Sequence, residues 1–347
     1  MAADPIAAAE RADLTYVSDA EPGIRRRRAG KGFSYRDAAN RPVADREVLA
    51  RIRSLVIPPA WTDVWICAEP GGHIQATGRD QRGRKQYRYH PSWTACRDEA
   101  KFSSLTAFAE VLPRLRERVE EDLRKRGAGR ERVIASMVRL LDHTMMRIGN
   151  DAYAQQNKSF GLTTLRTRHV ALEGSSVRFS FRGKSGQEWR LKLSDRRVAT
   201  VIRQVQELPG QRLFQYVDED GDRREVKSQD VNDYIREAIG SDFTSKHFRT
   251  WGATVAAAHL LAATPRPESK RGQTVAINKV IDTVSAKLRN TRAVCRRCYV
   301  HPNVIESWVD GRLEEEIGAL RRRYPRPLKG LDLEESIVLR WLRDRHL

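Results

Sequence analysis

Hydrophobic and polar positions are patterned in blocks that predict short strands early in the chain and long helices later. Residues 45–55 place apolar side chains at helical spacing, and the pattern stops before Pro58-Pro59, which cannot continue a helix. Residues 64–67 and 73–77 read as two strands joined by a turn at Glu69-Pro70-Gly71-Gly72. A polar loop after Gly78 leads to the extended segment Lys85-Gln86-Tyr87-Arg88-Tyr89. From Ser92 the period becomes helical. Ser104 is placed to cap a helix reaching Arg126 ahead of Gly127, and Val133, Ile134, Met137, Leu140, Leu141 and Met145 mark another over 131–147. Alternation returns at 169–172, 177–182 and 188–193, with Gly183-Lys184-Ser185-Gly186 as the tight turn of the last pair. Ser194 then caps a helix, and further helices are predicted over 229–239, 244–263, 269–289 and 333–345.

These elements describe an α+β chain, with a small N-terminal β-sheet-containing domain and a mainly α-helical domain holding one small antiparallel sheet. The length of 347 residues suits two domains at about 150 residues each. Pro91-Ser92 is the expected boundary, giving domains over 31–91 and 92–347. Residues 1–30 read as a loosely held arm of the first domain, ending in Arg25-Arg26-Arg27-Arg28, a solvated tail or a direct phosphate contact. No internal repeat is visible.

Charge narrows the function. Lys and Arg number 64 against 45 Asp and Glu, a net charge of +19, which points to a polyanionic partner. The most apolar stretch, 253–263, is shorter than the roughly 18–20 residues of a membrane helix and holds His259, so it reads as a core helix. The N-terminus lacks a basic start followed by an apolar block, and no secretory signal is expected. Four cysteines in the whole chain argue against a disulfide framework and for a reducing interior.

Several residues could carry chemistry. Gly183-Lys184-Ser185 ends like a phosphate-binding loop, but position 178 is Arg where that loop needs Gly, and the context is strand–turn–strand. Nucleotide binding is rejected there, leaving one Lys on a β-turn, which by itself reads as a solvated turn residue. Arg147, flanked by apolar residues, and Arg249, early in a helix, each fit either an anion site or a structural ion pair. Cys295-x-x-Cys298 with His301 lacks an evident fourth zinc ligand, so buried thiols fit better than a metal.

Taken together, Arg147, Lys184 on its hairpin, Lys246-x-x-Arg249, and Asn290 nine positions before Tyr299 resemble the type IB DNA topoisomerases in order and context. The likeness is to the compact bacterial, poxvirus-like branch and runs over nearly the whole chain. Ile57-Pro58-Pro59-Ala60-Trp61, Gly78-Arg79-Asp80 and Gln86-Tyr87-Arg88-Tyr89-His90-Pro91 resemble that family's first domain. The resemblance implies the catalytic fold shared by tyrosine recombinases and type IB topoisomerases. It implies an enzyme that cuts one strand of supercoiled duplex DNA, lets it swivel and reseals it. Tyr299 would be the nucleophile, Arg147 and Arg249 the phosphate clamp, Lys184 the general acid and Lys246 a phosphate contact. Gln86, Tyr87 and Tyr89 would touch DNA. Asn290 departs from the His found in poxvirus and nuclear members; an amide can donate a hydrogen bond but cannot transfer a proton near neutral pH. The resemblance further implies a cytoplasmic, nucleoid-associated monomer that clamps DNA between two domains and uses no ATP, nucleotide, metal or other cofactor.

Two other readings compete. Tyrosine recombinases share the cleavage chemistry, but usually carry His-x-x-Arg where this chain has Lys246-x-x-Arg249, and begin with an all-helical domain. A non-catalytic nucleic-acid-binding protein fits the charge, but gives no reason for Tyr299 at its spacing from Asn290 or for Lys184 on a hairpin tip.

Overall fold

The computed structural model describes residues 5–240 and 243–345, apart from the Asp98 side chain. The start of the expected arm (1–4) and the end of the expected catalytic domain (346–347) lie outside the described residues. The chain divides into two compact units, Met1–Phe102 and Ser103–Leu347.

In the first unit, helices α1 (Pro5–Arg11) and α2 (Arg46–Ser54) accompany strands β1 (Ile24–Ala29), β2 (Gly32–Arg36), β3 (Thr62–Ile66), β4 (Ile74–Arg79) and β5 (Lys85–Tyr89). The strands form one antiparallel sheet in the order β2-β1-β3-β4-β5. Asp45 caps α2 by accepting from the Glu47 and Val48 amides, and Ile52 packs with Ile24, Val64, Ile66 and Ala76. The four-arginine run is therefore not a loose arm. It is β1, paired on both sides, with Arg26 donating to the Pro58 and Trp61 carbonyls at 3.1 and 2.6 Å. Pairing with β2 and β3 fixes this segment, and a run of identical residues carries no period that could announce it.

Helix α3 (Pro91–Arg124) starts thirteen residues before the expected Ser104 cap, because Pro91 is pre-set for a first helical turn. The second unit continues with α4 (Arg130–Thr144), α5 (Asp151–Asn157), β6 (Val170–Glu173), β7 (Ser176–Arg182), β8 (Glu188–Ser194), α6 (Arg196–Glu207), β9 (Gln215–Val217), β10 (Arg223–Glu225) and α7 (Ser228–Ile239). It ends with α8 (Ser245–Ala262), α9 (Lys270–Leu288), α10 (Arg292–Cys298), α11 (Pro302–Val309), α12 (Leu313–Arg323) and α13 (Leu333–Arg343). Strands β6, β7 and β8 form the small antiparallel sheet, with Val177, Phe179 and Phe181 buried at alternate positions. Helix α8 is the hub, packing against α4, α7, α9, α11, α12 and α13. Among the described residues, no helix is long and apolar enough to cross a membrane.

Candidate active site

The ends of α4, α9 and α10, together with helix α8, position the site. Helix α4 ends at Thr144, not at Arg147 as the apolar spacing suggested. Met145 turns left-handed (φ 54°), so Arg147 leaves the helix in a loop. That loop is pinned when the Leu162 amide donates to the Arg147 carbonyl at 2.8 Å and Thr163 donates to the Ile148 carbonyl at 2.7 Å. Gly161 permits the approach, since a β-carbon there would meet Gly149 Cα at 2.6 Å and the Arg147 oxygen at 2.8 Å. On the far side, Arg289 turns left-handed after α9 and the Asn290 amide donates back to the Ser285 carbonyl at 3.0 Å. Thr291 starts α10, and Tyr299 closes it with its amide on the Cys295 carbonyl at 3.0 Å.

Helix α8 supplies the rest. Arg249, only 4% exposed, donates through Nη1 to the Met145 carbonyl and through Nη2 to the Leu288 carbonyl at 3.0 Å, joining the ends of α4 and α9. Its guanidinium lies 5.0 Å from the Tyr299 ring centre. Thr254, fully buried, donates to the Tyr299 carbonyl at 3.2 Å and accepts from the His301 amide at 3.2 Å. Nothing in the sequence pattern singled out Thr254; a Thr inside an apolar helix gives no sign of what its hydroxyl reaches.

Arg147 Nη2 donates to Asn290 Oδ1. At this site, Arg147 Nη1, Arg249 Nε and Asn290 Nδ2 are buried donors with no well-formed hydrogen bond among the described residues. Burial alone would push the Tyr299 phenol up. The charge and hydrogen bonding of Arg249, the charge of Arg147 and the nearby Asn290 amide outweigh it and hold the phenol below its ordinary value. Burial, then the neighbouring Arg147 charge, takes Arg249 down to about 10, so it remains charged at neutral pH.

Arg147, Lys184, Lys246, Arg249 and Tyr299 line one cavity of about 340 Å³. Lys184 reaches it from the β7–β8 turn, where Ser185 and Gly186 are left-handed and the Gly183 amide donates to the Gln187 carbonyl at 2.8 Å. Lys246 lies exposed in the first turn of α8. Five of the sequence-nominated residues therefore meet in one place, and Asn290 joins them through Arg147. Arg147 and Arg249 make no ion pair with a carboxylate among the described residues, which removes the structural ion-pair reading for both. Gln86, Tyr87 and Tyr89 belong to the first unit. The two Tyr rings stack at 5.7 Å, and Gln86 donates to Asp80 at 3.0 Å. Cys295 is a buried free thiol pushed up to about 11 by burial, and among the described residues no group of three His, Cys, Asp or Glu could hold a metal.

Comparison with known proteins gives the family of the chain. The family described as eukaryotic DNA topoisomerase I, catalytic core, matches residues 90–324, and bacterial DNA topoisomerase IB, N-terminal domain, matches residues 32–80. The chain belongs to the type IB DNA topoisomerases. DNA topoisomerase 1B of Acanthamoeba polyphaga mimivirus is 35% identical over 82% of this chain and 87% of the relative. DNA topoisomerase 1B of vaccinia virus (strain Copenhagen) is 21% identical over 80% of this chain and 87% of the relative. As a member of this family the chain is a DNA topoisomerase and its macromolecular partner is DNA.

Proposed function

We propose that the chain relaxes supercoiled duplex DNA as a cytoplasmic, nucleoid-associated monomer, by cutting one strand with Tyr299, letting it swivel and resealing it. The Tyr299 oxygen attacks a backbone phosphorus, the bond to the 5′-oxygen breaks, and a 3′-phosphotyrosyl ester and a 5′-hydroxyl result. The ester keeps the energy of the original bond, so the 5′-hydroxyl reseals the strand without ATP.

The observation that carries this reading is the convergence of Arg147 Nη1, Arg249 Nε and Asn290 Nδ2, all buried without a well-formed bond, beside the Tyr299 phenol. Each such donor costs about 1–3 kcal/mol when left unmet. The non-bridging oxygens of one phosphate offer acceptors for all three. Because carbonyls hold the Arg249 Nη atoms, that residue contributes through Nε and its charge, while Arg147 offers Nη1. Fixed positive charge here acts where the pentacoordinate transition state becomes more negative. Lys184, on its hairpin at the cavity, gives a proton to the departing 5′-oxygen, a contribution of roughly 10²–10⁴ in rate. Asn290 orients and donates a neutral hydrogen bond. Lys246, and Gln86, Tyr87 and Tyr89 on the first unit, hold the DNA. Arg and Lys do the charge work that Mg²⁺ does at other phosphoryl-transfer sites, so neither metal nor nucleotide takes part.

The test is relaxation of supercoiled plasmid in EDTA without ATP. The wild-type chain relaxes it, and Tyr299→Phe binds DNA but does not. Strict dependence on Mg²⁺ or ATP would overturn the reading.

A further inference from the structure

The largest cavity described in the first unit, about 620 Å³, shares Tyr87 and Tyr89 with the proposed DNA contacts, but its other walls, Tyr16, His73, Trp93 and Arg97, have no part in strand cleavage as derived above. Its size is in the range of small-ligand pockets, about 300–1,000 Å³. Its walls are aromatic. Tyr16 stacks on His73 at 4.2 Å with the planes 10° apart, Trp93 meets His73 edge-on at 4.7 Å, and the Tyr87–Tyr89 stack forms another side. The exposed large hydrophobic residues include three tyrosines, Tyr16, Tyr87 and Tyr89, and all three line this cavity. His73 covers one face of Tyr16 and the Tyr87 and Tyr89 rings cover one face of each other, yet all three tyrosines stay partly exposed around the hollow.

Charge points the same way. Lys85 is occupied by Asp19 at 2.6 Å, but Arg97, over the Trp93 ring at 5.9 Å, makes no ion pair with a carboxylate among the described residues. A cation in a hollow with partly exposed tyrosine rings suits a planar base that carries a phosphate. A paired base has both faces stacked on its neighbours, so only an unstacked one can use such walls. We infer that the cavity lined by Tyr16, His73, Tyr89, Trp93 and Arg97 holds one unpaired nucleotide of a DNA strand, its base on the rings and its phosphate on Arg97. The inference rests on DNA as the partner but not on the cleavage chemistry.

The test uses the full chain carrying Tyr299→Phe, which separates binding from cleavage. A short single strand containing 2-aminopurine is titrated, alongside the same sequence fully paired and the free 2-aminopurine nucleotide. Saturable quenching of the single strand is expected. Tyr16→Leu with Arg97→Gln should weaken it by about tenfold or more, within the range of one lost base–aromatic stack. Affinity for the paired sequence, and plasmid relaxation in the Tyr299 background, should stay within about twofold. Absence of saturable quenching overturns the inference. So does an equal loss of single-strand and duplex affinity, which would make the cavity part of a duplex face. Equal affinity for the free nucleotide would assign it to a small molecule instead of a strand.

Discussion

Thr254→Val removes one hydroxyl and little volume, which makes it a clean perturbation of how the nucleophile is held. The hydroxyl is the shared partner of the Tyr299 carbonyl and the His301 amide, both at 3.2 Å, in a fully buried position five residues after Arg249 on α8. Losing it removes one hydrogen bond from each of two backbone groups, at about 0.5–1.5 kcal/mol each. Bonds of 3.2 Å lie at the long end of the normal range, so a total near 2 kcal/mol is expected. In a folding unit of this size that corresponds to a melting temperature lower by roughly 4–8 °C. The segment from Tyr299 to His301, between α10 and α11, can recover part of this by shifting, and a phenol displaced by about 1 Å loses on the order of 10² in rate. Single-turnover formation of the covalent adduct at saturating DNA should slow about 10- to 100-fold. Thr254→Ser, which keeps the hydroxyl, should restore most of it. A Val variant that melts earlier yet cleaves at the wild-type rate would show that the hydroxyl supports only the fold. A slow Val variant that Ser does not rescue would assign the effect to the methyl group.

Lys184→Ala should cleave slowly, and a substrate with sulfur at the 5′-bridging position should restore the rate, since a thiolate leaves without a proton; a failure of rescue removes Lys184 as the acid. Asn290→His should retain substantial activity, and complete inactivity would show that the pocket does not accept the residue found in poxvirus relatives. Despite burial, which raises it, the Tyr299 phenol is held low by Arg249, Arg147 and Asn290, so cleavage by the wild-type chain should rise with pH ahead of an ordinary phenol. Asn290→Ala should move that rise to higher pH, and an unmoved profile would contradict the electrostatic cause. Glu335 receives Arg116 at 2.7 Å and the Trp251 indole at 3.0 Å, and although burial raises its pKa, these partners hold it below the ordinary glutamate value. Its stabilisation is complete above the unfolded value of about 4.3 and is lost as pH falls through the lower folded value. Glu335→Ala should cost about 3–5 kcal/mol at pH 7 and progressively less in acid, read by denaturant unfolding.

Elements whose side chains follow a strong local period were legible in the sequence. The β7–β8 hairpin alternates cleanly, and α2, α7, α8 and α9 were placed to within a residue or two. What the sequence hid was set by distant partners. The start of β1 is fixed by Ile24 pairing with Ile66, and the exit of α4 by a single left-handed Met145, neither of which a periodic pattern encodes. The 7- and 8-residue helices α10 and α11 are too brief to display a period, and α12, with only Leu313 and Ile317 buried, shows little of one. The site residues were nominated by resemblance and order. Their meeting depends on contacts between distant segments, Arg147 with Asn290 across 143 positions and Arg249 with Met145 across 104.

The central claim is that the phenol of Tyr299 takes the place of the 5′-oxygen on a backbone phosphate. Denaturing a single-turnover reaction on 3′- and 5′-labelled DNA and sequencing the DNA-linked peptide tests it most directly. The expected product is a peptide joined through Tyr299 to a 3′-phosphate, with a free 5′-hydroxyl on the other fragment. Attachment through any other residue, or to a 5′-phosphate, would contradict it.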